Sequence, residues 1–391
     1  MIVFTYPGQG SQKPGMGEPW TQHPSWELVA EATQTSGRDV DHLLLRADAE
    51  ELKETRNAQM ATYVLSLVVL DAVERVGADA AGHAGHSLGE YSALTAAGAI
   101  DFADGVRLVA ERGDAMQAAA DEKPGTMAAV LGLDDDEVEI ACNRTADDVW
   151  VANYNAPGQV VIAGSGDAVD RAGEVARELG AKRVMALPVG GAFHTPLMAT
   201  ARDRLRKAID STEFREPDGA VVANVDGTAH AAADDWPELL RAQLTSPVRW
   251  RQSLHSLADL GFTTFVELGP GTVLTGMAKR TIEGSRTLNV STPDDIDHLL
   301  EVLHGPPPGP VGQLEGEHLF ATERLVVSPA AGVFTPADGI EPGLHVETGQ
   351  TIGQVGAVDV LSPFTGELMG LLAIDGERIT PREPIAWLRL G

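Results

Sequence analysis

The sequence predicts an α/β protein with a largely parallel central sheet, carrying a small all-β module at its carboxyl end. Three observations lead there. Short apolar strands alternate with helical segments over the first 304 residues, a pattern that belongs to sheets built from strand–helix–strand units. The run Gly305-Pro306-Pro307-Pro308-Gly309-Pro310-Val311-Gly312 can continue neither a helix nor a ladder and reads as a stiff, extended spacer. Beyond it Gly and Pro punctuate short β-like runs, and no helical period is visible.

In chain order, Ile2–Tyr6 reads as a strand feeding a glycine loop, and residues 57–76 as a long buried helix. Residues 160–163 and 264–267 read as strands, residues 167–179 and 195–209 as helices, and residues 184–189 as strand-like. In the tail, residues 324–328, 366–374 and 385–390 carry the β-like runs. The chain opens MIVFTYPGQG, with no early Lys or Arg, so it does not read as a secretory signal. Its most apolar helical stretch, residues 60–76, contains Asp71 and Glu74 and is too short and too charged to span a bilayer. A cytoplasmic protein is expected.

Composition narrows the function. A net charge of −28 disfavours nucleic acid and anionic membrane as partners. An anionic ligand then needs a local positive site, which draws interest to arginines near motifs. Cys142 is the only cysteine, so disulfides and thiolate metal clusters within the chain are excluded. It lies in an amphipathic segment and reads as a packed residue. No metal ion is expected.

Gly85-His86-Ser87-Leu88-Gly89 fits G-x-S-x-G. Chemistry needs that spacing: a serine on a tight strand-to-helix turn leaves no room for side chains two residues to either side. The helix that follows, residues 90–97, aims its N-terminal amides at the reacting oxygen. A second loop, Pro7-Gly8-Gln9-Gly10-Ser11-Gln12, follows the first strand, where α/β sheets line their ligand crevice. It lacks both the Walker lysine and the G-x-G-x-x-G spacing, so it suits an oxyanion-facing amide, or a plain structural turn, better than a phosphate cradle. A serine nucleophile needs a base. Among 11 histidines, His86 adjoins Ser87 but points away on such a turn. His194, between a strand-like segment and a helical one, stands where a base belongs, though a satisfied polar histidine fits the same pattern.

Taken together, PGQGSQ (7–12), GHSLGEYSAL (85–94), DFADGVRLVAERG (101–113), GTMAAVLGL (125–133), NAPGQVVIAG (155–164), GAFHTPLM (191–198), QLTSPVRW (243–250) and ELGPG (267–271) resemble the malonyl-CoA:acyl carrier protein transacylase family, in order, over residues 1 to about 304. The resemblance implies an acyltransferase domain (1–304) with an α/β-hydrolase-like large subdomain and an inserted ferredoxin-like small subdomain at about 124–192. It implies Ser87 as nucleophile, His194 as base, and the backbone carbonyl of Gln243 as the group orienting the imidazole in place of a carboxylate. The backbone amides of Gln9 and Leu88 would form the oxyanion hole. Arg112 would hold the malonyl carboxylate, as a planar guanidinium can do in a two-pronged way. Phe193 would fill space beside the acyl α-carbon, and Asn153 and Asn155 would contact the thioester or pantetheine. The substrates implied are a coenzyme A thioester and acyl carrier protein, with no cofactor. A serine hydrolase or thioesterase built on the same turn is the other reading, and Arg112, which a hydrolase of neutral esters does not need, discriminates between them.

The tail, residues 322–391 after a linker at 305–321, resembles a biotinyl/lipoyl-type β-sandwich through VVSPAAGVFTP, HVETGQTIGQV, VLSPFTGELMGLLAIDGERI and PIAWLRL. Such domains carry their cofactor on a lysine at a hairpin tip. The last lysine of this chain is Lys279, and residues 353–359, where the tip would fall, contain none. An amide-linked biotin or lipoyl group is therefore excluded on the tail, and a docking or scaffold role is expected.

Overall fold

The computed structural model describes residues 1–145, 148–304, 323–337, 339–380 and 383–389, so the linker expected at 305–321 lies outside the described residues. The chain divides into two compact units, Met1–Pro307 and Pro308–Gly391.

The first unit is built on a six-stranded sheet. Arg286–Val290, Thr264–Leu268, Ile2–Tyr6, Gly82–Gly85 and Ala220–Val222 lie side by side in that order, all parallel, and Ala229–His230 closes one edge antiparallel. Strands buried on both faces read as continuous apolar runs, and Val3, Phe4 and Tyr6 are each at most 1% exposed. The helix Thr55–Arg75 is buried on nearly every side, which explains its apolar residues all round. It packs against the helix Phe102–Glu122, whose inward face carries Val106, Val109, Arg112 and Met116.

Inserted between sheet strands is a subdomain of order strand Thr126–Leu131, helix Asp135–Thr145, strand Val149–Ala156, strand Gln159–Gly164, helix Gly166–Glu178 and strand Arg183–Ala186. Its four strands form one antiparallel sheet in which Thr126–Leu131 and Gln159–Gly164 are central. Side chains alternate across it. Ala128, Val130, Val160 and Ile162 join its own helices, with buried Cys142 among them, in a separate core. Met127, Ala129 and Val161 face the other way and join the main core. The strand Arg183–Ala186 ends earlier than the apolar run 184–189 predicts, ahead of Pro188 and the pair Gly190-Gly191. The helix expected over 195–209 is divided: Pro196 opens a single 3-10 turn, Pro196–Met198, before the α-helix Ala199–Asp210.

The second unit is all-β. One sheet orders Glu323–Val327, Pro384–Arg389, Gly366–Leu371 and His345–Val346; the other orders Val358–Leu361, Thr351–Val355, Gly332–Pro336 and Arg378–Ile379. All pairings are antiparallel. Val326, Phe334, Ile352, Leu368, Ile385 and Leu388 belong to its own core. Val355 pairs with Val358, so Gly356 and Ala357 make a two-residue turn with Gly356 at φ 63°.

Candidate active site

Two strand ends create the site. Tyr6 and Gly85 are in register on adjacent parallel strands, so the loops that leave them emerge side by side. Ser87 sits between the strand Gly82–Gly85 and the helix Gly89–Ala96 with φ 54°, a left-handed conformation costly for a side-chain residue. Both motif glycines are required by close backbone approach. A Cβ at Gly85 would stand 1.8 Å from the Gly89 backbone, and one at Gly89 would stand 2.0 Å from the Tyr6 carbonyl oxygen. Gly8 lets the first loop lie on the turn, since a Cβ there would meet the His86 carbonyl oxygen at 2.5 Å. Leu88 directly follows the serine and caps the helix.

His194 also has positive φ, 61°. Its turn is held by Thr195, whose hydroxyl donates to the Ala192 carbonyl at 2.7 Å. The imidazole lies between two partners: Nδ1 and the Gln243 carbonyl oxygen are 2.9 Å apart, and Nε2 and Ser87 Oγ are 2.7 Å apart. A carbonyl only accepts, so Nδ1 carries the proton and Nε2 is free to accept from the serine. Burial, followed by the charge of Arg112, pushes the His194 pKa down to about 3. The imidazole is therefore neutral near neutral pH, as a base must be before it takes a proton.

Arg112 is 1% exposed. It donates from Nη1 to Gln59 Oε1 at 2.8 Å, and from Nη2 to Gln243 Oε1 at 2.9 Å and Ser87 Oγ at 3.0 Å. All three partners are neutral. Its Nε is buried without a hydrogen-bond partner among the described residues, and the Tyr91 ring lies 5.3 Å from its Cζ. Glu90 reaches the guanidinium only through the Gln243 side chain, so among the described residues no anion is bonded to it directly, and a carboxylate arriving beside Ser87 would be its first direct ionic partner.

A cleft of about 470 Å³ opens between the large sheet and the inserted subdomain. Gln9, Ser87, Arg112, Asn153, Asn155, Phe193 and His194 all line it, whereas Leu88 and Gln243 are buried just behind. Asn155 Oδ1 lies 2.8 Å from His86 Nε2, and the His86 ring rests edge-on against Trp250, so His86 makes its contacts away from Ser87 Oγ. Met116, Met127, Val161 and Leu187 give the cleft apolar walls.

Several polar residues at the site escape a reading of the sequence. Asn224 Oδ1 accepts from the Ser87 amide at 2.7 Å, while its Nδ2 donates to the Gly85 carbonyl at 2.7 Å. Gln59 places its oxygen on Arg112, and the Gln243 side chain joins Arg112 to Glu90. Glu90 and Tyr91 stood in a quoted motif without a role. Gln59 lay hidden in an apolar helix, and Asn224 meets Ser87 from 137 residues away.

The fold is that of acyl-transferring enzymes: residues 3–294 match the family described as acyl transferase domain. The malonyl CoA-acyl carrier protein transacylase of Bacillus subtilis is 41% identical over 307 residues, covering 77% of this chain and 97% of the relative, and that of Escherichia coli is 41% identical over 306 residues, covering 77% and 99%. Among solved structures, a malonyl-transacylase in complex with a type II PKS acyl-carrier protein superposes with a TM-score of 0.74 at 38% identity, covering 77% of this chain and 99% of that one. An acyl carrier protein S-malonyltransferase from Vibrio cholerae gives 0.73 at 38%, covering 76% and 99%. This chain belongs to the malonyl CoA-acyl carrier protein transacylase family. The matched domain ends ahead of the all-β unit.

Proposed function

We propose that the chain transfers malonyl from malonyl-CoA to the phosphopantetheine thiol of an acyl carrier protein, in two half-reactions through a malonyl ester on Ser87. The observation that carries the reading is the hydrogen-bonded row Gln243 carbonyl–His194–Ser87 with Arg112 against the serine oxygen. His194 Nε2 takes the Ser87 proton as Oγ attacks the thioester carbonyl. The carbonyl oxygen becomes an oxyanion, received by the Gln9 and Leu88 amides. Collapse breaks the C–S bond, and His194 returns its proton to the departing thiolate. The second half-reaction reverses the roles. His194 deprotonates the carrier thiol, the thiolate attacks the ester, and the proton goes back to Ser87.

In this reading Arg112 exchanges neutral partners for the malonyl carboxylate. Phe193 fills the space beside the α-carbon, and Asn153 and Asn155 contact the thioester and pantetheine arm. The large subdomain is of α/β-hydrolase type and the inserted one is ferredoxin-like. No carboxylate is needed as a third triad member, and no cofactor enters the reaction. The enzyme works in the cytoplasm; among the described residues no helix is long and apolar enough to cross a membrane. The tail is a biotinyl/lipoyl-like sandwich that carries no cofactor and serves docking, a reading supported by its paired four-stranded sheets and by a hairpin tip of Gly356 and Ala357.

Incubation with radiolabelled malonyl-CoA tests the reaction. The protein should become labelled and should pass its label to added holo carrier protein, while Ser87→Ala should take up none. Labelling of Ser87→Ala at comparable stoichiometry would remove Ser87 from the mechanism.

A further inference from the structure

Behind the reacting atoms lies a buried carboxylate that the mechanism above does not use. Glu90 is 0% exposed, on the first turn of the helix that follows Ser87. Its Oε1 accepts from the backbone N–H of Asn224 at 2.9 Å, and its Oε2 accepts from the Gln243 side-chain amide. Those two partners lead straight to the site. Asn224 grips the Ser87 amide and the Gly85 carbonyl. Gln243 donates from the same Nε2 to the Ser87 carbonyl at 2.9 Å, accepts from Arg112 at its Oε1, and offers its backbone carbonyl to His194.

We propose that Glu90 is a positioning residue whose ionised carboxylate, through Gln243 and Asn224, fixes both the carbonyl that orients His194 and the strained turn that presents Ser87. This rests on the reading of Ser87, His194 and Gln243 given above.

Polarity requires the ionised form. Arg112 can only donate, so it dictates that Gln243 turns its oxygen toward the guanidinium and its NH₂ toward Glu90. The Asn224 amide is likewise only a donor. Glu90 thus meets a donor at each oxygen, which a carboxylate satisfies on both sides. A protonated carboxyl, or a glutamine, offers one acceptor and one donor, and the donor faces another donor. A second buried polar group would then lose its partner, and the Gln243 and Asn224 supports would slacken together.

The charged and titratable groups facing Glu90 come from three elements. Arg112 on the helix Phe102–Glu122 favours ionisation, as do the bonds from Asn224 and Gln243; Asp226, beyond the strand Ala220–Val222, opposes it. Tyr91, next along its own helix, is pushed up to about 12 and stays neutral. Burial outweighs the favourable groups and pushes the Glu90 pKa up to about 7. His194 is already deprotonated far below that value. Acylation should therefore weaken as pH falls through about 7 because Glu90 gains a proton.

The experiment is single-turnover malonylation of Ser87 in the full chain from about pH 5.5 to 9, with Ser87→Ala as blank. The wild type should show an acid limb centred near pH 7. Glu90→Gln should acylate about 10–100-fold more slowly near pH 8, the size of loss expected when a buried polar group is left without its partner, and its acid limb should be gone between about pH 6 and 8. A merely structural glutamate would leave the limb where it was. Glu90→Gln acylating within about twofold of wild type, or keeping the limb at the same midpoint, overturns the proposal. Should that variant not fold, Gln243→Leu decides, because it keeps the carbonyl that holds His194 and removes only the amide between Glu90, Arg112 and Ser87. It should slow acylation comparably and flatten the limb, and wild-type behaviour would overturn the proposal. An unlabelled wild type overturns this proposal together with the reading of the site. A labelled wild type with an indifferent Glu90→Gln overturns this one alone.

Discussion

At the scale of single residues, Arg112 carries the choice of substrate. Its guanidinium is buried with neutral partners on Nη1 and Nη2 and none on Nε among the described residues. A malonyl carboxylate supplies a directly bonded anionic partner, whereas acetyl supplies none. Arg112→Ala should therefore lower malonyl transfer by about 10²-fold or more, since a desolvated charge pair contributes about 2–5 kcal/mol. Acetyl transfer should fall far less, or rise. Steady-state kinetics with both thioesters check this, and equal loss for both would make Arg112 a structural residue only. His194→Ala should slow acylation by about 10²–10⁴-fold, the usual contribution of a positioned base. Among the described residues no carboxylate is hydrogen-bonded to the imidazole, so an Asp or Glu variant matching the His194→Ala loss, with the fold intact, would establish a conventional triad instead. Ser87 stands out in the sequence by its G-x-S-x-G spacing and His194 by its place between a strand-like and a helical segment, whereas Arg112 is singled out only through the family resemblance. Glu90, Gln59 and Asn224 were not legible, because their work is to satisfy other polar groups, and a satisfied buried amide has no signature in the chain. Pairings such as Gln243 with Glu90 span 153 residues, a distance that only the fold closes.

Among elements, the strand–turn–helix around Ser87 was the most legible, because its glycines are demanded by backbone contacts rather than by flexibility. Gly89 lies against the Tyr6 carbonyl with no room for a methyl group. Gly89→Ala should push the helix off the adjacent strand end and destabilise the first unit by about 3 kcal/mol or more, in the range of severe core overpacking. Thermal or denaturant unfolding of the variant measures it, and a melting transition within about one degree of wild type would show that the turn has slack. Elements with a clear period were predicted to within a few residues: Ile2–Tyr6 as observed, the buried helix at Thr55–Arg75 for 57–76, and Gly166–Glu178 for 167–179. Misjudged ends have local causes. Apolar residues at 187 and 189 continue the pattern of the strand before them, yet they turn into the cleft wall, where Pro188 and two glycines bend the chain. In the tail the three strongest runs were visible, but strands such as His345–Val346 and Arg378–Ile379, two residues each, are too short to show any alternation.

For the whole molecule, the question is what a second unit adds to a first that already holds every group of the proposed reaction. Each residue from Gln9 to Gln243 that lines or supports the cleft belongs to Met1–Pro307, and the family match ends at residue 294. The second unit has its own core of Val326, Phe334, Ile352 and Leu368 between two antiparallel sheets, while Leu325, Leu361, Leu372 and Ile374 stay exposed. A unit with a separate core can be removed without opening a cavity in its neighbour's. A chain ending near Gly305 should therefore fold, melt like the main transition of the full chain, and transfer malonyl at close to the full-length rate. If the second unit serves docking, a different loss follows: pull-down of the full chain against fatty-acid synthesis enzymes should recover a partner that the shortened chain does not. The two measurements separate the alternatives. If the tail instead completes the cleft, the shortened protein will show a large fall in kcat/KM for malonyl-CoA itself, with the melting of the first unit unchanged. That result would move the boundary of the active site past residue 305. Unaltered kinetics with a lost partner would place the tail's contribution in assembly.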